Sequence, residues 1–228
     1  MPNLPWIMTQ TWNDLLFAHW RIDPAVLRVK VPAVLPIDVF DGSAWIGIVP
    51  FHMTNVAPRF VPALPGLSAF PELNVRTYVT LADKPGVYFF SLDATSALAV
   101  RAARLLFHLP YYTADMTVNV QRDVVTYSSR RSLAALTASY WPAGAAFNPA
   151  PGSLEYFLTE RYCLYATDRR GNPRRLDIHH PPWPLQPAGA DFAVNTMTAP
   201  LGIRLPDAAP LLHFAKRQDM VAFPMRRA

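Results

Sequence analysis

Residues 70–93 read FPELNVRTYVTLADKPGVYFFSLD. Two stretches rich in β-branched and aromatic residues, Leu73–Leu81 and Val87–Asp93, flank Asp83-Lys84-Pro85-Gly86, whose composition is that of a turn. A tight turn between two strands makes an antiparallel pair. Side chains alternate along a strand, so Glu72, Asn74, Arg76 and Tyr78 share one face, while Leu73, Val75, Thr77 and Val79 share the other. The second face is a core face. The first sets a carboxyl, an amide, a guanidinium and a phenol in a row. Two readings fit it: a solvated outer face, or the inner face of a closed barrel that lines a cavity. In the second, Arg76 would clamp a substrate carboxylate, with Asn74 beside it, and Glu72 would move protons. Only three glutamates occur in the chain, which weighs against a merely solvated role for one placed in this row.

The same alternation extends outward. Ala44–Phe51, Met116–Gln121, Val124–Arg130, Ala138–Trp141, Arg161–Thr167, Arg174–His180 and Leu211–Ala215 read as further strands, with Asp168 to Pro173 forming another turn. Short helices are marked by their caps. Thr11-x-x-Asp14 resembles a capping box ahead of Leu15, Leu16 and Phe17. Asp23-Pro24 opens a segment that Pro32 stops, Ser96 caps Ala97–His108 ahead of Pro110, and Ser153 caps Leu154–Thr159. The pattern predicts a β-rich α+β fold, with a strongly curved or closed antiparallel sheet and a few flanking helices. Composition is even and no repeat or linker stands out, so one domain over residues 1–228 is expected.

The 228 residues hold 51% apolar and 16% charged side chains, which excludes wholesale disorder. One cysteine excludes an intrachain disulfide framework and a multi-thiolate zinc site. The N-terminal twenty residues lack the basic and apolar regions of a signal peptide, and Ala97–Phe107 is too short and too charged to span a bilayer. A cytoplasmic protein with no membrane partner is expected. The net charge of +5 rests on eighteen arginines and three lysines (Lys30, Lys84, Lys216). Many arginines stand in doublets flanked by turn residues, the pattern of solvated turns rather than of a nucleic-acid stripe, so no nucleic-acid partner is expected.

Ala103–Met116 is the second segment that bears on chemistry. A helix stopped by Pro110 and followed by a strand sets Tyr111 and Tyr112 at a corner, as pocket donors and weak acids or as packed aromatics. Six histidines show neither HxH nor HExxH spacing, so no metal site is assigned. His180, ahead of Pro-Pro-Trp-Pro, reads as a loop or pocket-rim group; Cys163 as a buried inert thiol; Glu160-Arg161 as a structural pair or helix terminus. GxSxG, Walker-type and GxGxxG motifs are absent, which removes the usual support for serine hydrolases and nucleotide binding.

The blocks FAHWRIDP, FPELNVRTYV, GVYFFSLDATS, AARLLFHLPYYTADM, SLEYFLTERYCLY and HHPPWPL resemble, in order and spacing, the YqjF-like family of uncharacterised bacterial proteins. That family is grouped with the acetoacetate-decarboxylase-like superfamily. The resemblance implies a cone-like antiparallel barrel with an internal pocket and maps the superfamily's pocket glutamate onto Glu72. The decarboxylases carry a lysine pair after a proline where this chain has Tyr111 and Tyr112, and a phenol forms no imine. The Schiff-base route is therefore rejected. The expected catalytic set is Glu72, Tyr111 and Tyr112, with Arg76, Asn74, His19 and Arg104 binding substrate and no cofactor. An enzyme would be lyase-like or isomerase-like, acting on a small carbonyl or carboxylate compound. A non-catalytic small-molecule binding protein is the alternative, an interaction module built on proline-rich loops the third reading, and a homo-oligomer is compatible with all of them.

Overall fold

The computed structural model describes residues 4–64 and 68–228. Its strands, in chain order, are β1 (Met8–Ile22), β2 (Ala44–Pro58), β3 (Phe70–Leu81), β4 (Lys84–Ala94), β5 (Tyr111–Thr113), β6 (Asp115–Gln121) and β7 (Val124–Arg131). They continue as β8 (Ala134–Pro142), β9 (Cys163–Thr167), β10 (Pro173–His179), β11 (Gln186–Asn195), β12 (Leu211–Ala222) and β13 (Arg226–Arg227). The helices are α1 (Pro24–Arg28), α2 (Ala97–Phe107) and α3 (Leu154–Thr159). No helix among the described residues is long and apolar enough to cross a membrane.

The sheet order β10–β9–β4–β3–β2–β1–β12 closes on itself, because β12 also pairs with β10. The result is a ring of strands, antiparallel throughout except where β4 meets β9 in parallel. From β12 a second sheet runs through β11, β8 and β7 to β6 and covers the outside of β1–β3. Leu16, Ala18, Ile48, Leu73 and Val75 pack there against Tyr127, Leu136 and Tyr140. This explains why β1 and β2 are largely apolar on both faces: one looks into the ring, the other into the core beneath the second sheet.

Closing so few strands requires strong bending, and β-bulges supply it. Asp14 (φ 50°) and Asn55 (φ 53°) sit at irregularities in β1 and β2, and β4 skips a residue between Phe89 and Ser91. Each bulge reverses which residues face inward. In β1 the cavity-facing residues are Met8, Gln10 and Trp12 before the bulge, then Leu15 and Phe17 after it. In β2 they are Val49, Phe51 and Met53, then Val56 and Pro58.

Three of the four predicted helices form. Asp23 caps α1 by accepting from the Ala25 amide (2.8 Å), and Ser153 caps α3 by accepting from the Tyr156 amide (3.1 Å). The capping box at Thr11–Asp14 does not form a helix. This segment is the middle of β1, where the Thr11 hydroxyl donates across the strand pair to Asp219 (2.7 Å) and Asp14 occupies the bulge. The turn between β3 and β4 is Ala82-Asp83, both at positive φ (49° and 55°), two residues earlier than its composition indicates; Pro85 and Gly86 belong to the strand. Strand β11, beginning Gln-Pro-Ala-Gly, carries few residues of high strand propensity and was not evident in the sequence.

Gly86 is where the ring joins. A Cβ there would lie 2.7 Å from Cys163 Sγ and 2.8 Å from the Cys163 carbonyl oxygen, so β9 reaches β4 only because the side chain is absent. Gly86→Ala is expected to destabilise the protein by about 1–3 kcal/mol through overpacking. Thermal denaturation should show a drop of roughly 2–4 °C per kcal/mol for a chain of this size. An unchanged melting temperature would mean that the joint is more compliant than its contacts imply.

Candidate functional site

The ring encloses a cavity of about 460 Å³ lined from every one of its strands. Glu72, Asn74 and Arg76 project into it side by side from β3, which places the polar row of the sequence inside the barrel. Tyr78, the fourth member, does not line it: α3 closes that end, with Phe157 against the Tyr78 ring (centroids 5.4 Å apart). Strand β5 adds in parallel to β4 beside Leu92–Ala94, beyond the part of β4 that pairs with β9. Since Asn74 and Glu72 pair with Leu92 and Ala94, this short strand delivers Tyr111 to Glu72.

The Tyr111 hydroxyl donates to Glu72 Oε2 at 2.7 Å. Glu72 is 4% exposed, and burial pushes its carboxyl up to about 7 despite the opposing hydrogen bond from Tyr111. Burial, reinforced by the Glu72 charge, drives the Tyr111 phenol well above its usual range. The pair is therefore a carboxyl that exchanges its proton near neutrality beside a phenol that keeps its own.

Arg76 has no carboxylate partner among the described residues. Its guanidinium donates to the Leu158 carbonyl (3.3 Å), lies over the Phe17 ring (5.2 Å to the centroid), and leaves Nε without a hydrogen-bond partner. Asn74 Oδ1 is likewise buried and unpartnered. Buried polar groups are ordinarily satisfied, so adjacent exceptions on one cavity wall mark a polar subsite.

The other predicted site residues separate. Tyr112 points away, as alternation along β5 requires; it is 39% exposed, with the guanidinium groups of Arg131 and Arg104 over its ring at 4.3 and 5.3 Å. Arg104 is exposed on α2 and donates from Nε to the Tyr111 carbonyl (2.5 Å), steadying the strand that carries Tyr111 without lining the cavity. His19 does not line the cavity either. It is fully buried, its Nε2 2.6 Å from the Tyr78 hydroxyl, in a space left by Gly47, where a Cβ would meet the imidazole at 3.0 Å. Burial lowers its pKa well below the usual value, with the Arg76 charge adding to the effect.

Sequence reasoning missed Arg161, Trp12 and Trp183 as cavity residues. Arg161 pairs with Asp38 (2.6 Å), not with Glu160, which accepts from the Trp183 amide (2.8 Å) and the Tyr162 hydroxyl. His180 lines the cavity, with Nδ1 2.7 Å from the Pro181 carbonyl. Cys163 is buried, and burial raises its thiol, which suits an inert packing role. None of the three lysines lines the cavity: Lys84 pairs with Asp177 and Lys216 with Asp14, each at 2.6 Å, and Lys30 is exposed. Among the described residues, no cluster of three or more His, Cys, Asp or Glu side chains is arranged to hold a metal.

A carboxyl with a folded pKa above its unfolded one binds extra protons in the native state, so stability falls as pH rises from about 4.5 to about 7. Glu72→Gln removes this penalty. It should raise stability at pH 8 by up to about 3 kcal/mol and change it little near pH 4.5. Thermal melts at the two pH values test this, and equal effects at both would show that Glu72 is not desolvated.

The family model DUF2071, described as an uncharacterised conserved protein, matches residues 9–219. The uncharacterised protein YqjF of Bacillus subtilis (strain 168) is 52% identical over 230 residues, covering 100% of this chain and 95% of that protein. Similar solved structures include an acetoacetate-decarboxylase-like enzyme from Sphingomonas wittichii RW1 (TM-score 0.67, 14% identity, 99% of this chain and 94% of that one). An acetoacetate decarboxylase matches at TM-score 0.67 (15% identity, 100% and 91%). The enduracididine biosynthesis enzyme MppR complexed with pyruvate matches at 0.65 (11%, 100% and 91%). These TM-scores, at such low identity, establish a shared acetoacetate-decarboxylase-like fold and nothing finer. The chain belongs to the DUF2071 family of uncharacterised conserved proteins.

Proposed function

We propose that the protein is an enzyme that transfers protons to and from carbon on a carbonyl or carboxylate compound without forming an imine. The observation that carries this reading is the Glu72–Tyr111 pair, a buried carboxyl with a pKa of about 7 held at 2.7 Å by a phenol, on the same wall as the unpaired Arg76. A general base works best when its pKa lies near the working pH. Glu72 accepts a proton from the carbon next to a carbonyl, Tyr111 orients the carboxyl, and Arg76 donates to the oxygen on which negative charge develops. Each step leaves the protons balanced: what Glu72 takes from one carbon it returns to the same or a neighbouring atom. A lysine-free cavity makes this route distinct from imine chemistry, and the enzymes of similar fold lend it an enzymatic context.

The alternative is binding without turnover, which the predominantly apolar cavity wall favours. Exchange of carbon-bound hydrogen for deuterium, followed by NMR across a panel of 2-oxo and 3-oxo acids in D₂O, separates the two. The enzyme reading expects exchange that rises with pH through about 7 as Glu72 ionises and then levels off. Glu72→Gln should reduce it by about 10²–10⁴-fold. The Tyr111 hydrogen bond lowers the Glu72 pKa, so Tyr111→Phe should move the pH midpoint upward. Ligand-induced stabilisation without exchange at any pH would favour the binding protein. Borohydride with acetoacetate or pyruvate should trap no covalent adduct; a stoichiometric adduct on any lysine would overturn the imine-free mechanism.

A further inference from the structure

The cavity is about 460 Å³, three times the ~150 Å³ apolar hole that accepts a single benzene ring. An acid of three or four carbons would leave most of it unfilled. Two apolar clusters supply much of its wall. One contains Phe51, Met53 and Phe70 with Tyr111 packed on it; the other contains Leu176, Met220 and Ala222 with Phe107 and Leu164 packed on it. Trp12 packs on both clusters and stacks on Trp183 (centroids 5.8 Å, planes 14° apart). Among the described residues that line this apolar volume, one arginine stands without an acidic partner. Arg161 is neutralised by Asp38, whereas Arg76 has no acidic partner among the described residues. An unpaired guanidinium facing an apolar space is costly unless the occupant brings the counter-charge.

We infer that the occupant is an amphipathic monocarboxylate, its carboxylate on Arg76 and an apolar chain or ring system of roughly ten or more carbons between the two clusters. The inference rests on the proposed function only for the position of the head group beside Glu72; the size and apolar character of the body are independent of any turnover.

Quenching of tryptophan fluorescence, with Trp12 and Trp183 in the wall as reporters, measures binding of the straight-chain carboxylates from butanoate to dodecanoate. Isothermal titration on the same series supplies a second readout. Affinity should rise about fourfold per added CH₂ and level off near ten carbons. Arg76→Gln should weaken decanoate at least tenfold while leaving decanol unchanged. Ala222→Phe, which fills the cavity, should move the plateau to shorter chains; Met220→Ala, which enlarges it, should move the plateau to longer ones. Affinity that is flat with length, or greatest at butanoate, overturns the inference, as does an equal loss of decanol on Arg76→Gln. If either cavity variant fails to fold, the other and the wild-type length series still decide. A steep length dependence without deuterium exchange would uphold this inference and refute the enzyme; exchange confined to short acids, without length dependence, would do the reverse.

Discussion

Closure of the ring at the β4–β9 joint is the constraint on which the rest of the molecule depends. Six of the seven neighbouring pairs in the ring are antiparallel, and one parallel contact, two residue pairs long, completes it. The missing side chain of Gly86 sets how closely the strands approach there. Because β9 takes only the first part of that edge of β4, the remainder is free for β5. Tyr111 therefore reaches Glu72 as a by-product of how the barrel is sealed. The joint and the candidate site are two stretches of one strand edge.

Enclosure also creates the electrostatics of the site. A glutamate on an open sheet face would stay ionised in water at an ordinary pKa. Placed among Phe51, Phe70 and Tyr111 it holds its proton to about neutral pH. The same apolar surroundings offer Arg76 no acidic partner among the described residues. Low polarity thus acts in opposite directions on two neighbours: it weakens the charge of one and leaves the other in need of an anion. A carboxyl that exchanges its proton near neutrality thus shares one wall with a guanidinium that has no acidic partner among the described residues.

Much of the fold was legible because the strands alternate and the helices carry explicit caps. Leu73, Val75 and Val79 announced a core face, and Asp23 and Ser153 announced α1 and α3. The row Glu72–Asn74–Arg76 was legible for the same reason, since alternation alone places the three together. What was hidden lies where alternation breaks. The bulge at Asp14 gave β1 a helix-like spacing, so Trp12 and Phe17 were not seen to face one cavity. Tyr112 was indistinguishable from Tyr111 until the pairing of β5 fixed which one turned inward. Arg161 and Trp183 come from segments distant in sequence, and only their positions in space associate them with the site.

The bulges have a consequence for how this barrel diversifies. Each acts as a parity switch, so flattening the bulge at Asp14 or Asn55 without changing the chain length would exchange the inner and outer sets of everything beyond it on that strand. Flattening the bulge at Asn55 with the residue kept would withdraw Val56 and Pro58 from the cavity and present Asn55 and Ala57 instead, while Val49, Phe51 and Met53 kept their places. One end of the chamber can thus be re-lined by loss of a bulge while the β3 row stays fixed. Related chains that keep or lose a bulge at these two points would share the Glu72–Asn74–Arg76 row and differ in the shape of the room around it.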